Sequence, residues 1–127
     1  MIVGFTGTQK GMTARQKTDF ADWLPRLDAL QFHHGDCIGA DAEAHDVADD
    51  LGVVTVIHPP IIMVKRAFKD GDTILPSKEY LERNHDIVEV ADILIACPSG
   101  PEELRSGTWA TIRYAMKRGV NTLILYP

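Results

Sequence analysis

Three stretches place glycines and small polar side chains directly ahead of helix-like sequence. They are Gly4-Phe5-Thr6-Gly7-Thr8-Gln9, Gly35-Asp36-Cys37-Ile38-Gly39-Ala40-Asp41, and Pro98-Ser99-Gly100 running on to Ser106-Gly107-Thr108. Each follows a short apolar run. In a parallel α/β sheet such turns gather at one edge, the carboxyl ends of the strands. Bare glycine backbone admits a ligand closely, and a helix N-terminus offers unpaired N–H groups at the positive end of its dipole. Capping needs only one or two of the hydroxyls and amides of Thr6, Thr8, Gln9, Ser106 and Thr108. Their convergence on one edge favours phosphate or sugar, so the expected ligand is a phosphate-bearing small molecule.

The acids near these turns have competing readings. Asp41 is a natural N-cap and Asp36 a turn former. Alternatively, either takes a ribose hydroxyl or serves as a general base. For Asp41 capping is preferred; for Asp36 the choice stays open. Glu102 and Glu103 follow the third turn, where loop acids are usually solvated, with catalysis the lesser reading. In the helical stretch from Ser77 to Ala91, Leu81, Ile87, Val88 and Ala91 form an apolar stripe. Asn84 falls inside that stripe, and a buried amide must find partners. Either it bonds a neighbouring turn, or Asn84 and Arg83 reach the crevice.

Cys37 and Cys97 each end a strand, separated by the first strand, about 9–10 Å apart. That excludes a disulfide without backbone movement, and a small buried residue is the favoured reading of each thiol. His33 and His34 point to opposite sheet faces. Without HxxH or HExxH spacing, no metal site is expected. Trp109, Ile112 and Met116, at helical spacing, read as core or interface.

The elements that must position these residues alternate. Ile2 to Thr6 reads as a buried strand. Thr13-Ala14-Arg15-Gln16 is a capping box opening a helix that buries Phe20, Trp23, Leu24, Leu27 and Leu30. Pro25 predicts a kink or restart there. Gln31 to His34 is a second strand, Asp41 to Leu51 an acidic helix stopped by Gly52, and Val53 to Ile57 a third strand. Ser77 caps the next helix, Ile93 to Cys97 is the fourth strand, Gly107 to Arg118 a helix, and Thr122 to Tyr126 the last strand. This alternation predicts an α/β fold, a Rossmann-like three-layer sandwich on a five-stranded parallel sheet of order 3-2-1-4-5. His58 to Pro76 fits neither period and holds three prolines, Ile61-Ile62-Met63-Val64 and the bases Lys65, Arg66 and Lys69. A loop of this length is usually functional. It is expected to close over the ligand, with Lys65 or Arg66 meeting phosphate.

The chain has 127 residues, 45% hydrophobic, with a net charge of −5. Its length fits one domain over residues 1–127. The acidic balance argues against duplex nucleic acid as a partner. No apolar run reaches the length of a membrane span, and the N-terminus reads as a strand rather than a signal peptide. With two isolated cysteines, a reducing cytoplasm is expected.

Tyr80-Leu81-Glu82-Arg83-Asn84-His85-Asp86-Ile87-Val88, Ala91-Asp92-Ile93-Leu94-Ile95-Ala96 and Ser106-Gly107-Thr108-Trp109-Ala110-Thr111 resemble the SLOG superfamily. That group joins the Rossmann-like domain of DNA-processing protein A (SMF) with the LOG phosphoribohydrolases. The glycine turns at Gly4–Thr8 and Gly35–Asp41 match as well, and the resemblance is closest to the small stand-alone YspA/YpsA-related branch. It implies a Rossmann-like fold binding a nucleotide or nucleotide-derived ligand at these turns, and it makes Arg83 and Asn84 site elements. In LOG enzymes a GGxGTxxE motif supplies a glutamate for N-glycosidic hydrolysis. Here Gly107-Thr108 aligns, but Thr111 stands at the glutamate position and Arg105 precedes Ser106.

The expected ligand-binding set is therefore Gly7, Thr8, Gln9, Gly35, Asp36, Gly39, Arg83, Asn84, Ser99, Gly100, Ser106, Gly107 and Thr108. Arg83 supplies charge and Asn84 orders the turns. No resident cofactor is expected. The preferred function is a sensor or sequestering protein; the alternative is an N-glycosidic hydrolase, with Asp36 and Glu103 the leading carboxylates. Relatives of this kind often form dimers or higher homo-oligomers. Trp109, Tyr114 and Ile61–Val64 supply apolar surface for that, with burial in the chain's own core the equal alternative.

Overall fold

The computed structural model describes residues 1–127. In chain order the elements are β1 (Ile2–Gly7), α1 (Ala14–Arg26), β2 (Gln31–His34), α2 (Ala40–Asp50), β3 (Val54–Ile57), β4 (Thr73–Ile74), α3 (Tyr80–Val90), β5 (Ile93–Cys97), α4 (Gly107–Lys117) and β6 (Asn121–Ile124). All strand pairs are parallel, in the order β4-β3-β2-β1-β5-β6. The expected five strands keep their order. The addition is the two-residue edge strand β4, which lies inside the stretch that carries no period. Asp72 holds it in place, accepting from the Thr55 amide at 2.8 Å and the Thr55 hydroxyl at 3.2 Å.

Strand alternation divides the core between two helical layers. Ile95 and Cys97 of β5 face α1 and α2, joining Phe5, Phe20 and Phe32. Those three rings pack edge-on or tilted at 5.4–5.7 Å between centroids, the favoured geometry for aromatic pairs. Leu94 and Ala96 face α3 and α4, meeting Ile87, Val88 and Ala115 on one side and Trp109 and Ile112 on the other.

Helix boundaries shift from expectation for local reasons. The Thr13–Gln16 capping box is present on both bonds. Gln16 also sends its amide to the carbonyls of Pro98 and Leu125, each at 2.8 Å, tying the start of α1 to the end of β5. Pro25 neither restarts nor divides α1: it sits in the last turn, so its missing amide removes a single intrahelical bond, the one to the Ala21 carbonyl, and Leu27 caps the helix. Leu30 therefore lies beyond the helix and is 68% exposed rather than buried. Helix α3 begins at Tyr80, not Ser77, and its inner face is Arg83, Ile87 and Val88. Leu81, expected in the stripe, is exposed, as is Met116 on α4.

Candidate functional site

The carboxyl ends of β1, β2 and β5 open on a cavity of about 390 Å³. Phe5, Thr6 and Gly7 come from β1, with Thr8, Gln9 and Lys10 continuing at the lip. Gly35, Cys37 and Asp41 supply the wall beyond β2, and Tyr80, Arg83, Asn84 and Ile87 the α3 wall. Ser99, Glu103, Arg105, Ser106, Gly107 and Thr108 complete the circuit at the start of α4. Most of the residues expected from sequence thus converge. Asp36, Gly39 and Gly100 do not line the cavity, while Phe5, Lys10, Cys37, Tyr80, Ile87 and Arg105 join it.

The α4 terminus leaves backbone donors free at the cavity. Ser106 caps it, its hydroxyl accepting from the Trp109 amide at 3.2 Å. The amides of Gly107 and Thr108 find no acceptor in the chain, as the first turn of a helix requires. Space beside Gly107 is open to 4 Å. Lys10 and Arg105 bring positive charge to the same cavity.

The other glycines serve the protein's own packing. A Cβ on Gly7 would lie 2.5 Å from that of Ala40, so glycine lets α2 approach β1. A Cβ on Gly35 would lie 1.7 Å from Arg83 Nη1. Gly39, at φ +86, presses against the backbone of Gln9, with 2.3 Å from a built Cβ to the Gln9 carbonyl oxygen. Gly39 also takes the cap position before α2. The expected capping role of Asp41 is therefore displaced: one residue inside the helix, its carboxylate accepts the Cys37 amide at 3.1 Å and lines the cavity.

Arg83 is 4% exposed. Its Nη1 donates to the Gly35 carbonyl and, at 3.5 Å, to that of His58. Cys37 Sγ lies 3.9 Å from Nη1 and 3.7 Å from Nη2, and Nε has no partner. The Tyr80 ring lies 5.1 Å from the guanidinium carbon. Arg83 makes no direct ion pair; the carboxyl that its charge acts on is that of Asp41 in the same cavity. Arg83 thus both orders the Gly35–Cys37 turn and supplies charge. The ordering role expected of Asn84 belongs to Arg83, and Asn84 is half-buried on the cavity wall.

Asp36 is fully buried, outside the cavity. Its Oδ2 accepts from Arg66 Nε at 2.9 Å, and its Oδ1 from the Lys69 amide at 3.0 Å. The Ala67 amide donates to the Asp36 carbonyl. Asp36 is thus the anchor of the segment after β3. Arg66, expected on phosphate, is held by this ion pair and by the face of Phe68 at 4.5 Å. Lys65 reaches the lip of the cavity by donating to Gln9 Oε1 at 2.9 Å. Gly100 lends its carbonyl to Trp109 Nε1 at 3.3 Å. Glu103 lines the cavity; Glu102 pairs with Arg113 at 2.9 Å. His33 and His34 divide between the faces as expected, pairing with His58 at 2.8 Å and His45 at 2.9 Å. Both thiols are free and buried, and burial raises Cys97 to about 12.

Burial lifts Asp41 from 3.8 to about 6, against the opposing pull of Arg83 and the Cys37 amide. The folded state therefore holds this proton more tightly than the unfolded chain. Its contribution to stability is complete below pH 3.8 and is lost as pH rises through about 6. Asp41→Asn is expected to remove that loss. The melting temperature of the variant minus that of the parent should climb between pH 4 and pH 7; a difference flat across this window would contradict the buried carboxyl.

No protein-family model and no curated protein matches the chain. Solved structures do. The molybdenum cofactor binding protein from the phototrophic bacterium Rippkaea orientalis aligns at TM-score 0.76 and 18% identity, over 99% of this chain and 76% of that one. DNA processing protein A (DprA) from Streptococcus pneumoniae aligns at 0.72 and 20%, over 97% of this chain and 49% of that one. The Moco carrier protein from Chlamydomonas reinhardtii aligns at 0.74 and 19%, over 99% and 76%. At TM-scores of 0.7 and above and identities of 20% or less, these structures show that the chain shares their Rossmann-like fold, the fold its alternating strands and helices predict.

Proposed function

We propose that this chain binds a phosphate-bearing, nucleotide-derived small molecule in the cavity at the carboxyl edge of its sheet, as a sensor or sequestering protein. The observation that carries this reading is the α4 terminus. The free amides of Gly107 and Thr108 share one cavity with Lys10, Arg83 and Arg105. Helix N-terminal amides are suited to phosphate oxygens, and cations add the charge. Thr8 and Ser106 place hydroxyls alongside, and Asn84 and Tyr80 give the opposite wall an amide and a ring. The volume lies within the range of small-molecule sites. No helix is long and apolar enough to cross a membrane, and two free thiols suit a reducing cytoplasm.

A thermal-shift screen tests this against mono-, di- and cyclic nucleotides, ADP-ribose types and molybdenum cofactor, which two fold neighbours are named for. Ligand at a hundred times its Kd should raise Tm by about 5–10 °C. No shift with any of them would remove the proposal.

Hydrolysis of an N-glycosidic bond is the second reading, and Asp41 favours it. A carboxyl titrating at about 6 inside the cavity is suited to giving a proton to a departing base near neutral pH. Of the two leading carboxylates, Glu103 shares the cavity with Asp41 and Asp36 does not. Free base accumulating with bound nucleotide, and lost in Asp41→Asn while binding persists, would establish this second reading.

A further inference from the structure

We propose that a second cavity, of about 240 Å³ beside the end of β3, is a binding site for a small planar heteroaromatic ring that donates a ring N–H. It is lined by His58, Leu75, Pro76, Lys78, Arg83 and Asp86, and only Arg83 belongs also to the first cavity. The inference rests on this geometry and is independent of any nucleotide in the first cavity.

The hydrogen-bond chain beneath the cavity fixes what it presents. Gln31 Oε1 accepts from His33 Nε2 at 2.8 Å. In a neutral imidazole the other nitrogen then carries a lone pair, and His33 Nδ1 uses it to accept from His58 Nε2 at 2.8 Å. His58 is left with a lone pair on Nδ1. Arg83 Nε is the one buried side-chain nitrogen or oxygen without a partner. Nδ1 of His58, which also has no partner in the chain, is therefore open, and the opening that His58 lines is this cavity. Burial, with the neighbouring His33, Arg83 and Lys78 and against the pull of Asp86, lowers His58 to about 4. At neutral pH the ring is an acceptor and not a cation.

The rest of the cavity selects the shape. Leu75 and Pro76 give an apolar wall, and the Lys78–Asp86 ion pair, at 2.7 Å, forms a polar side. A flat ring can lie on the wall with one edge toward His58. A ring N–H donates without carrying a second lone pair, so nothing polar is left against Leu75 and Pro76; a hydroxyl would leave one unpaired.

The test titrates indole and 1-methylindole into the 15N-labelled full chain and follows the ring nitrogens of His58 by NMR. Indole is expected to move the Nδ1 resonance saturably and to bind about five- to tenfold more tightly than 1-methylindole, which lacks the donor. Leu75→Ser, at an exposed position, is expected to weaken indole with no change in melting temperature. Equal affinity for the two probes, no saturable shift at His58, or unchanged indole affinity in Leu75→Ser would overturn the site.

Discussion

Gly39→Ala is expected to destabilise the chain by about 3–5 kcal/mol, and Gly107→Ala by no more than about 0.5 kcal/mol. Both glycines begin a helix beside the cavity, and their surroundings decide the difference. At Gly39 the backbone has φ +86, and a Cβ would stand 2.3 Å from the carbonyl oxygen and 2.6 Å from the carbonyl carbon of Gln9. Neither atom belongs to a flexible side chain, so relief requires moving the Thr8–Gln9 turn. That turn is held by the Ala40 amide on the Thr8 carbonyl at 3.0 Å. At Gly107 no atom lies within 4 Å of an added Cβ, and the conformation suits any residue. Under the proposed function, Gly107→Ala should instead lower ligand affinity about tenfold, because the methyl occupies the open space beside the free amides of α4. Urea unfolding measures the first effect and ligand titration the second. If Gly107→Ala binds as tightly as the parent, the anion does not lie on the α4 terminus.

Asp36→Asn is expected to cost about 2–3 kcal/mol and to expose the segment after β3 to trypsin. The carboxylate is fully buried, and Arg66 beside it is 12% exposed by side chain. Removing one partner of a buried pair costs more than the pair contributes over an apolar substitute, because the other charge stays desolvated. Arg66 lies close enough to the surface to turn outward, which keeps the cost below the ~3–5 kcal/mol of a fully enclosed pair. Asparagine also tolerates the left-handed backbone at φ 58, so the substitution reports on charge and not on strain. Asp36 receives Arg66, the Lys69 amide and the Ala67 amide together. Local opening at Lys65, Arg66 and Lys69 should therefore become at least about tenfold more frequent, and cleavage there should accelerate in proportion. Unchanged cleavage would mean that the segment is anchored elsewhere.

These contrasts mark where sequence was sufficient. Strand runs such as Ile93–Cys97 announce themselves by composition, and their alternation with helices fixes the order of five strands. Ser106, Gly107 and Thr108 are legible as a candidate site because a cap, a glycine and a hydroxyl adjoin one another in the chain. The purposes of Gly7, Gly35 and Gly39 are not, because Ala40, Arg83 and Gln9 come against them only in three dimensions. Asp36 is hidden for the same reason: Arg66 lies thirty residues on, in a stretch without period. Asp41 reads as a cap because a local rule covers it, yet glycine at a positive φ takes that position. Lys10 and Arg105 each stood beside a recognised turn, and basic residues flanking a predicted phosphate turn are the signal that would have found them.

The cavity walls come from the chain near Phe5–Lys10, Gly35–Asp41, Tyr80–Ile87 and Ser99–Thr108. Each pairing that brings them together is between strands distant in sequence, as β1 with β5. No contiguous fragment carries a working portion of the site, and late, long-range docking must finish before any ligand is held. Occupancy is consequently a reporter of completed folding. A ligand that binds only the completed site should slow unfolding and leave the refolding rate unaltered, so stopped-flow unfolding and refolding traces with and without ligand would show whether the site forms after the transition state.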